Sequence, residues 1–195
     1  MPSDTHLRER TLRREELLRG NFLRVVRDVV ELPDGGQASR EYVVHPGAVM
    51  IVPLLDDGRL LMERQYRHAV AQVMTEFPAG KLDAGEEPLR AAMRELTEET
   101  GYTAREWARA GRLHPCIGYS DEFIEIWFAR GLTPGRSQLD AGEFVEVIDA
   151  TPDQLRDWCR DGTITDAKTL TGALWVQQVL AGAWNLDWQT PSSPP

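Results

Sequence analysis

Residues 80–102 admit little besides a loop, one amphipathic helix and a second loop, and that helix carries an unusual electrostatic demand. Leu82, Asp83, Ala84, Gly85 and Glu86 are rich in turn formers, and Pro88 suits a first helical turn, where its missing amide hydrogen costs nothing. The helix is therefore predicted to start near Glu86 to Pro88 and to stop at Gly101, a residue suited to a left-handed C-cap. Leu89, Met93, Leu96 and the Thr100 methyl fall on one core-facing stripe. Glu95, Glu98 and Glu99, at i, i+3 and i+4, share a separate sector at roughly 100° per residue. Like charges so spaced repel one another. A hard divalent cation with oxygen ligands would compensate, and Gly80 would let a backbone carbonyl approach it closely. Arg94 and Arg90, on the flank of the acidic sector, could orient the glutamates by hydrogen bonding.

Around this helix the chain is rich in strand patterns. Phe22 to Leu32 interleaves apolar and polar residues, residues 33–36 supply a turn, and Ala38 to Val44 resumes an extended pattern, which predicts a hairpin. Ala48 to Leu55 is a nearly continuous apolar run, followed by a turn at residues 56–58 and a strand from Arg59 to Arg64. A short strand at Val73 to Phe77 leads into Pro78, Ala79 and Gly80. After Gly101, the segments Ala104 to Leu113, Phe123 to Ala129 and Phe144 to Ile148 read as strands. Thr151, Pro152 and Gln154 form a capping-box pattern for a helix running to about Arg160, and Asp166 to Ala181 has the apolar spacing of a second amphipathic helix. Trp127, Trp158 and Trp175 read as core or interface aromatics. The order of elements predicts an α/β fold with a mixed sheet sandwiched between helices. The charged start, Met1 to about Glu16, and the end, Thr190 to Pro195, are expected to be mobile.

A length of 195 residues suits one domain with a real core, with or without a small appendage. A net charge of −9 argues against nucleic acid or an anionic membrane as the partner, and no apolar run approaches a membrane span. A phosphorylated small molecule stays compatible with that charge if metal ions mediate the contact. Two cysteines, Cys116 and Cys159, without C-x-x-C spacing or a hydrophobic leader, suggest a reducing cytoplasmic setting. His45, His68 and His114 have no helical pairing and read as ordinary core or surface residues.

Gly80, Glu86, Arg94, Glu95, Leu96, Glu98, Glu99 and Gly101 together fit the string G-x5-E-x7-R-E-U-x-E-E-x-G-U, with U a bulky apolar residue, and this resembles the signature of the Nudix hydrolase family. With each fixed letter at roughly 6 to 7% usage, a chance match in such a chain is on the order of one in a million. Tyr102 stands where the family usually has an aliphatic residue. The resemblance implies a Nudix-type α/β/α sandwich with a mixed sheet over roughly Val44 to Gly182, preceded by an N-terminal β-hairpin layer. The implied divisions are residues 1–45 as an extension and hairpin serving dimerisation and substrate, 46–185 as the Nudix hydrolase domain and 186–195 as a flexible tail.

The family splits the pyrophosphate bond of a nucleoside diphosphate linked to another moiety. The resemblance implies magnesium, or manganese in its place, held by Glu95, Glu98, Glu99 and the carbonyl of Ala79. Arg94 assists, and the identity of the general base stays open. Arg64 to Arg67, Glu76 to Gly80 and Gly118 to Glu122 further resemble the ADP-ribose pyrophosphatase subgroup, in which Arg67 would contact phosphate and Glu76 the ribose or its neighbourhood. Arg40, Asp121 and Glu122 are implied substrate contacts, and a loop carboxylate completes the site, Glu143 first and Asp140 second. Pro115 is displaced by two from the proline many of these enzymes carry, Ile117 standing in its place. The subgroup also implies a homodimer, which the otherwise exposed hairpin edge supports. The implied activity is magnesium-dependent hydrolysis of ADP-ribose or a related nucleoside diphosphate sugar to AMP and a sugar phosphate. The alternatives are a housecleaning hydrolase of nucleoside triphosphates or dinucleotides, and a non-catalytic nucleotide-binding sensor.

Overall fold

The computed structural model describes residues 4–192 and divides into two compact units: residues 4–46 with Cys116–Glu122, and Gly47–Pro115 with residues 123–192. The first unit is an antiparallel sheet of β1 (Arg10–Arg19), β2 (Arg24–Glu31) and β3 (Gln37–Val44). β2 and β3 form the expected hairpin. β1 corrects the expectation of a mobile start: its charges are cross-strand partners, with Arg14 donating to both Asp28 carboxylate oxygens at 2.7 and 2.8 Å and Arg10 pairing with Glu31 at 2.8 Å. Register shifts after Thr11 and Glu16 break the period-two alternation that would have marked the strand. The segment Cys116–Glu122 joins this unit through β3, Val43 N–H donating to the Tyr119 carbonyl at 2.9 Å and Asp121 N–H to the Val43 carbonyl at 3.2 Å.

The second unit is a mixed sheet between helices. Its strands are β4 (Ala48–Leu54), β5 (Leu60–Arg67), β6 (Gln72–Glu76), β7 (Ala79–Lys81), β8 (Tyr102–Leu113), β9 (Ile124–Pro134) and β10 (Val145–Ala150). They follow the order β10-β5-β4-β9-β8, with β6 also pairing β5 and β7 also pairing β4. The β4–β9 pairing is parallel and the others are antiparallel. β4 is central because both of its faces are covered. Val49 and Ile51 pack with Ala91, Ala92 and Leu96 of α1 (Pro88–Thr100), while Met50 and Val52 pack with Leu155 of α2 (Pro152–Asp161) and Ala173 and Val176 of α3 (Ala167–Leu180). Two-sided burial is why β4 reads as a continuous apolar run. α3 approaches closely because residue 172 is glycine: a Cβ there would stand 2.9 Å from both Met50 and Phe77.

The helix ends follow their sequence signals. Gly101 caps α1 at φ 76°, and its open side lies against the backbone of Arg136 and Ser137, so a Cβ would meet the Ser137 nitrogen at 2.7 Å. The amide of Gln138 donates to the Glu98 carbonyl at 2.8 Å, fastening the loop ahead of β10 to the end of the acidic helix. Thr151 and Gln154 close the capping box on α2. The chain after α3 departs from the expected flexible tail: Leu186 and Trp188 pack on the core, and Gln189 exchanges two backbone hydrogen bonds with Trp107 at 2.8 and 2.9 Å. The remainder of that expectation, at residues 1–3 and 193–195, lies outside the described residues.

Leu96 has no exposed surface and packs in one cluster with Val49, Ile51, Trp107 and Trp127. Leu96→Ala is expected to cost about 2–5 kcal/mol, read as a lower urea midpoint at unchanged slope.

Candidate active site

The site is built where β7 lies against the acidic face of α1. β7 pairs with β4, Gly80 opposite Val49, which fixes its backbone. The Ala79 N–H donates to Glu99 Oε2 at 3.0 Å. A Cβ on Gly80 would overlap the Glu95 carboxylate, so only glycine allows this approach. The turn before α1 is closed by Glu86, whose Oε2 accepts the Asp83 N–H at 3.0 Å.

Arg94 answers part of the charge repulsion. Its guanidinium donates to Glu86 through Nε and Nη2 at 3.0 and 2.8 Å, to Glu95 at 2.7 Å and to Glu98 at 3.0 Å through Nη1, and to the Lys81 carbonyl at 3.1 Å. The Arg94 hydrogen bond holds the Glu86 carboxyl below its ordinary range. Glu95 still lies above it, because burial and the neighbouring Glu98 and Glu143 charges outweigh Arg94. Glu98, with 40% of its side chain exposed, is the most open of the three helix carboxylates, and Glu99 is 4% exposed. Burial, then the charge of Glu63, pushes Glu99 up to about 10.

A second group lies on the neighbouring strands. Glu76, at the end of β6, is 1% exposed and accepts both Nε and Nη2 of Arg67 at 2.7 and 2.8 Å. Lys168 also donates to Glu76, and to Asp166 at 3.0 Å. Burial pushes Glu76 upward, but Arg67 and Lys168 outweigh it and hold the carboxyl below the usual range. Asp166 is the N-cap of α3, accepting the Thr169 N–H at 2.9 Å, and Thr169 Oγ1 accepts the Phe77 N–H at 3.2 Å. The start of α3 thus holds the strand that delivers Ala79. Glu63 on β5 stands opposite Glu76, is fully buried, and is pushed up to about 8 by burial and then by Glu76.

The sequence-implied residues Ala79, Arg94, Glu95, Glu98 and Glu99 meet in this unit, with Glu76 and Arg67 beside them. Of the two loop acids, Glu143 has an Oε1 that accepts Gln65 Nε2 at 3.1 Å and a charge that acts on Glu63, Glu95 and Glu99. The Asp140 carbonyl accepts the Glu143 N–H at 3.0 Å. Arg40, Asp121 and Glu122 belong to the first unit. Arg40 pairs with Glu9, Asp121 Oδ1 accepts the His45 N–H at 2.8 Å, and Glu122 lies 3.8 Å from His45 Nε2. Sequence reasoning missed Glu63 and Lys168. The signal for Glu63 was a carboxylate ending the apolar run Leu60, Leu61, Met62; for Lys168 it was a lysine two residues after an N-cap aspartate.

Among the described residues no three acidic, His or Cys side chains converge as they stand on a cation-holding point, and Arg94 holds two of the helix carboxylates. The donor chemistry nevertheless fits a hard divalent cation, which prefers carboxylate and carbonyl oxygens. Among the described residues neither carboxylate oxygen of buried Glu63 has a partner, and Glu99 has a single amide donor.

These carboxyls set a pH dependence. Glu63 and Glu99 have folded values above the ordinary 4.5, so the folded chain binds protons that the unfolded chain has released. Their stabilising contribution is complete below about 4.5 and is lost as pH rises through about 8 and 10. Glu76 and Glu86, shifted downward, act oppositely and remove stability as pH falls below the ordinary carboxylate range. The chelator-treated protein is therefore expected to show a melting temperature that falls from pH 6 to pH 9, with magnesium flattening the slope. A melting temperature rising over that interval without metal would contradict it.

Comparison with known proteins gives this geometry a setting. The NUDIX domain family profile matches residues 44–186, and that of the nucleoside diphosphate sugar hydrolase N-terminal domain matches residues 9–43. An ADP-ribose pyrophosphatase of Bacillus subtilis is 36% identical over 173 residues, covering 88% of this chain and 94% of that protein. An ADP-ribose pyrophosphatase of Mycobacterium tuberculosis is 37% identical over 180 residues, covering 88% and 84%. A methanol dehydrogenase activator of Bacillus methanolicus is 36% identical over 173 residues, covering 87% and 92%. A solved structure of an ADP compounds hydrolase superposes with a TM-score of 0.81 at 26% identity, covering 90% of this chain and 96% of that one.

Proposed function

The chain belongs to the Nudix family of pyrophosphohydrolases, and from that premise we propose that it hydrolyses ADP-ribose or a related nucleoside diphosphate sugar with magnesium, releasing AMP and a sugar phosphate. The observation that carries the metal dependence is the enclosed set of Glu95, Glu99 and Glu63, in which Arg94 donates to Glu95, one backbone amide donates to Glu99, and neither Glu63 oxygen has a partner among the described residues. The substrate class is supported by the match at residues 9–43 and by the pyrophosphatases of similar sequence.

In this reading the Ala79 carbonyl, Glu95, Glu98 and Glu99 hold the cation. When bound, the metal supplies a polarised water and neutralises charge on the phosphoryl oxygens. The remaining work falls to the chain. Arg94 orients Glu95 and Glu98 through one nitrogen. Arg67 is locked by Glu76 through Nε and Nη2, leaving Nη1 for a substrate phosphate. Glu143, steadied by Gln65, is the proposed loop carboxylate and a candidate to hold the proton of the attacking water. Arg40, Asp121 and Glu122 are retained as proposed substrate contacts. Incubation with ADP-ribose and magnesium should release AMP and ribose 5-phosphate. Absence of turnover on every member of a nucleoside diphosphate sugar panel would sink the proposal, and preference for triphosphates or dinucleotides would replace it by the housecleaning reading.

The same reading includes a homodimer through the three-stranded sheet. In support, β1 is exposed along all ten of its residues, with Leu12, Leu17 and Leu18 among them, and an unpaired edge of that length invites a partner. Light scattering of a monomer with full activity would refute it. Two free cysteines suit the proposed reducing, cytoplasmic setting.

A further inference from the structure

On β5, Leu60 and Met62 belong to the core packed by α3, so alternation turns Leu61, Glu63 and Gln65 to the opposite face of the sheet, the face on which α1 packs against Val49 and Ile51 of β4. Three oxygens on this row have no hydrogen-bond partner among the described residues: both carboxylate oxygens of fully buried Glu63, and Oε1 of Gln65. Gln65 Nε2 donates to Glu143, a carboxylate that can only accept, which fixes the other end of the amide as the unpartnered oxygen. The neighbouring cationic side chains are committed elsewhere, Arg67 and Lys168 to Glu76, and Arg94 to Glu86, Glu95 and Glu98. Glu99 on α1 has one amide donor among the described residues, and the charge of Glu63 acts on it. A buried carboxylate without a partner is costly, and hydrogen bonds or a cation are the usual remedies. Three inward oxygen donors beside a buried glutamate match the ligand type of a hard divalent cation.

We propose that Glu63, with the Gln65 amide oxygen beside it, forms with Glu99 a divalent-cation subsite on the β5 side of the metal centre, beyond the set contributed by the acidic helix and Ala79. The proposal rests on the metal-dependent reading above and extends the ligand set to a strand that the helix signature does not include.

The test counts bound Mn2+ by electron paramagnetic resonance on the full chain, for wild type, Glu63→Gln and Glu63→Met, together with the rise in melting temperature that Mn2+ produces. Wild type is expected to bind Mn2+. Both variants should lose one bound ion or bind one ion about tenfold or more weakly, in the range found for groups that tune a metal site. Their metal-free melting temperatures should be equal to or above that of wild type, while the Mn2+-induced rise shrinks. Superimposable titrations of wild type and Glu63→Gln, with wild-type binding intact, would overturn the subsite alone and leave Glu63 as a buried protonated acid. Wild type that binds no Mn2+ would overturn the subsite and the metal-dependent reading together. Failure of both variants to fold would also overturn the subsite, because a ligand without partners in the metal-free chain is dispensable to its fold.

Discussion

Glu98→Gln is expected to lower kcat on ADP-ribose by a factor on the order of 10³, with folding stability nearly unchanged. The two halves of that expectation come from different observations. Glu98 is the most open of the three helix carboxylates, and among the described residues its side chain accepts one hydrogen bond, from Arg94 at 3.0 Å. Replacing one carboxylate oxygen by an amide nitrogen at such a place should move stability by about 0.5 kcal/mol or less. The same replacement removes a full negative charge from the proposed metal centre. Steady-state kinetics at saturating magnesium, with a thermal melt of the same preparation, checks both. A variant retaining even a tenth of wild-type kcat would remove Glu98 from the proposed ligand set, and a nucleotide-binding sensor would keep its affinity whatever happened to turnover.

The second large effect is expected at a residue with no functional group. Gly80→Ala places a methyl where the Glu95 carboxylate lies. The strand cannot retreat, because Gly80 is paired opposite Val49 in the sheet centre and its neighbour Ala79 donates to Glu99. Glu95 must therefore move, and its 2.7 Å bond from Arg94 breaks with it. Displacing a site group by about 1 Å can cost around 10²-fold in rate, whereas overpacking of one methyl costs about 1–3 kcal/mol in stability. The expected result is a folded protein with a modestly lower melting temperature and kcat reduced around a hundredfold. Wild-type kcat in Gly80→Ala would show that Glu95 is free to occupy another position in the working enzyme.

Much of this arrangement was legible because local rules and tertiary structure agree. The two-sided burial of β4 is written in its apolar run, the start of α2 in Thr151 and Gln154, and the end of α1 in Gly101. What escaped depends on partners distant in sequence. β1 is a strand because its arginines meet Asp28 and Glu31, and its register shifts erase the alternation that would reveal it. Leu186 to Gln189 are ordered by Trp107 and the core, with the Arg130 guanidinium 4.0 Å over the Trp188 ring, and nothing in the local pattern encodes those contacts. The acidic helix announced its repulsion, but that one arginine would bind Glu86, Glu95 and Glu98 together depends on the fold of the preceding turn. Glu63 reads in sequence as one charge at the end of a strand. Only its burial and its pairing opposite Glu76 make it part of the site.

The fastening of the loop ahead of β10 has a consequence for how this scaffold tolerates changes in length. Gln138 is hydrogen-bonded to the carbonyl of Glu98, and the backbone at Arg136 and Ser137 lies against Gly101, so the stretch up to residue 138 is an anchor that moves only with the acidic helix. The exposed residues that follow, Asp140 to Gly142, carry no such tie to the helix. Insertions placed there change the reach of Glu143 while leaving Glu98 where it is, and each doubling of loop length adds only about 0.6 kcal/mol of closure entropy. The same insertion before residue 138 would pry the loop from the end of the helix. A boundary one residue wide thus separates the part of the loop whose length can change without moving Glu98 from the part whose length cannot.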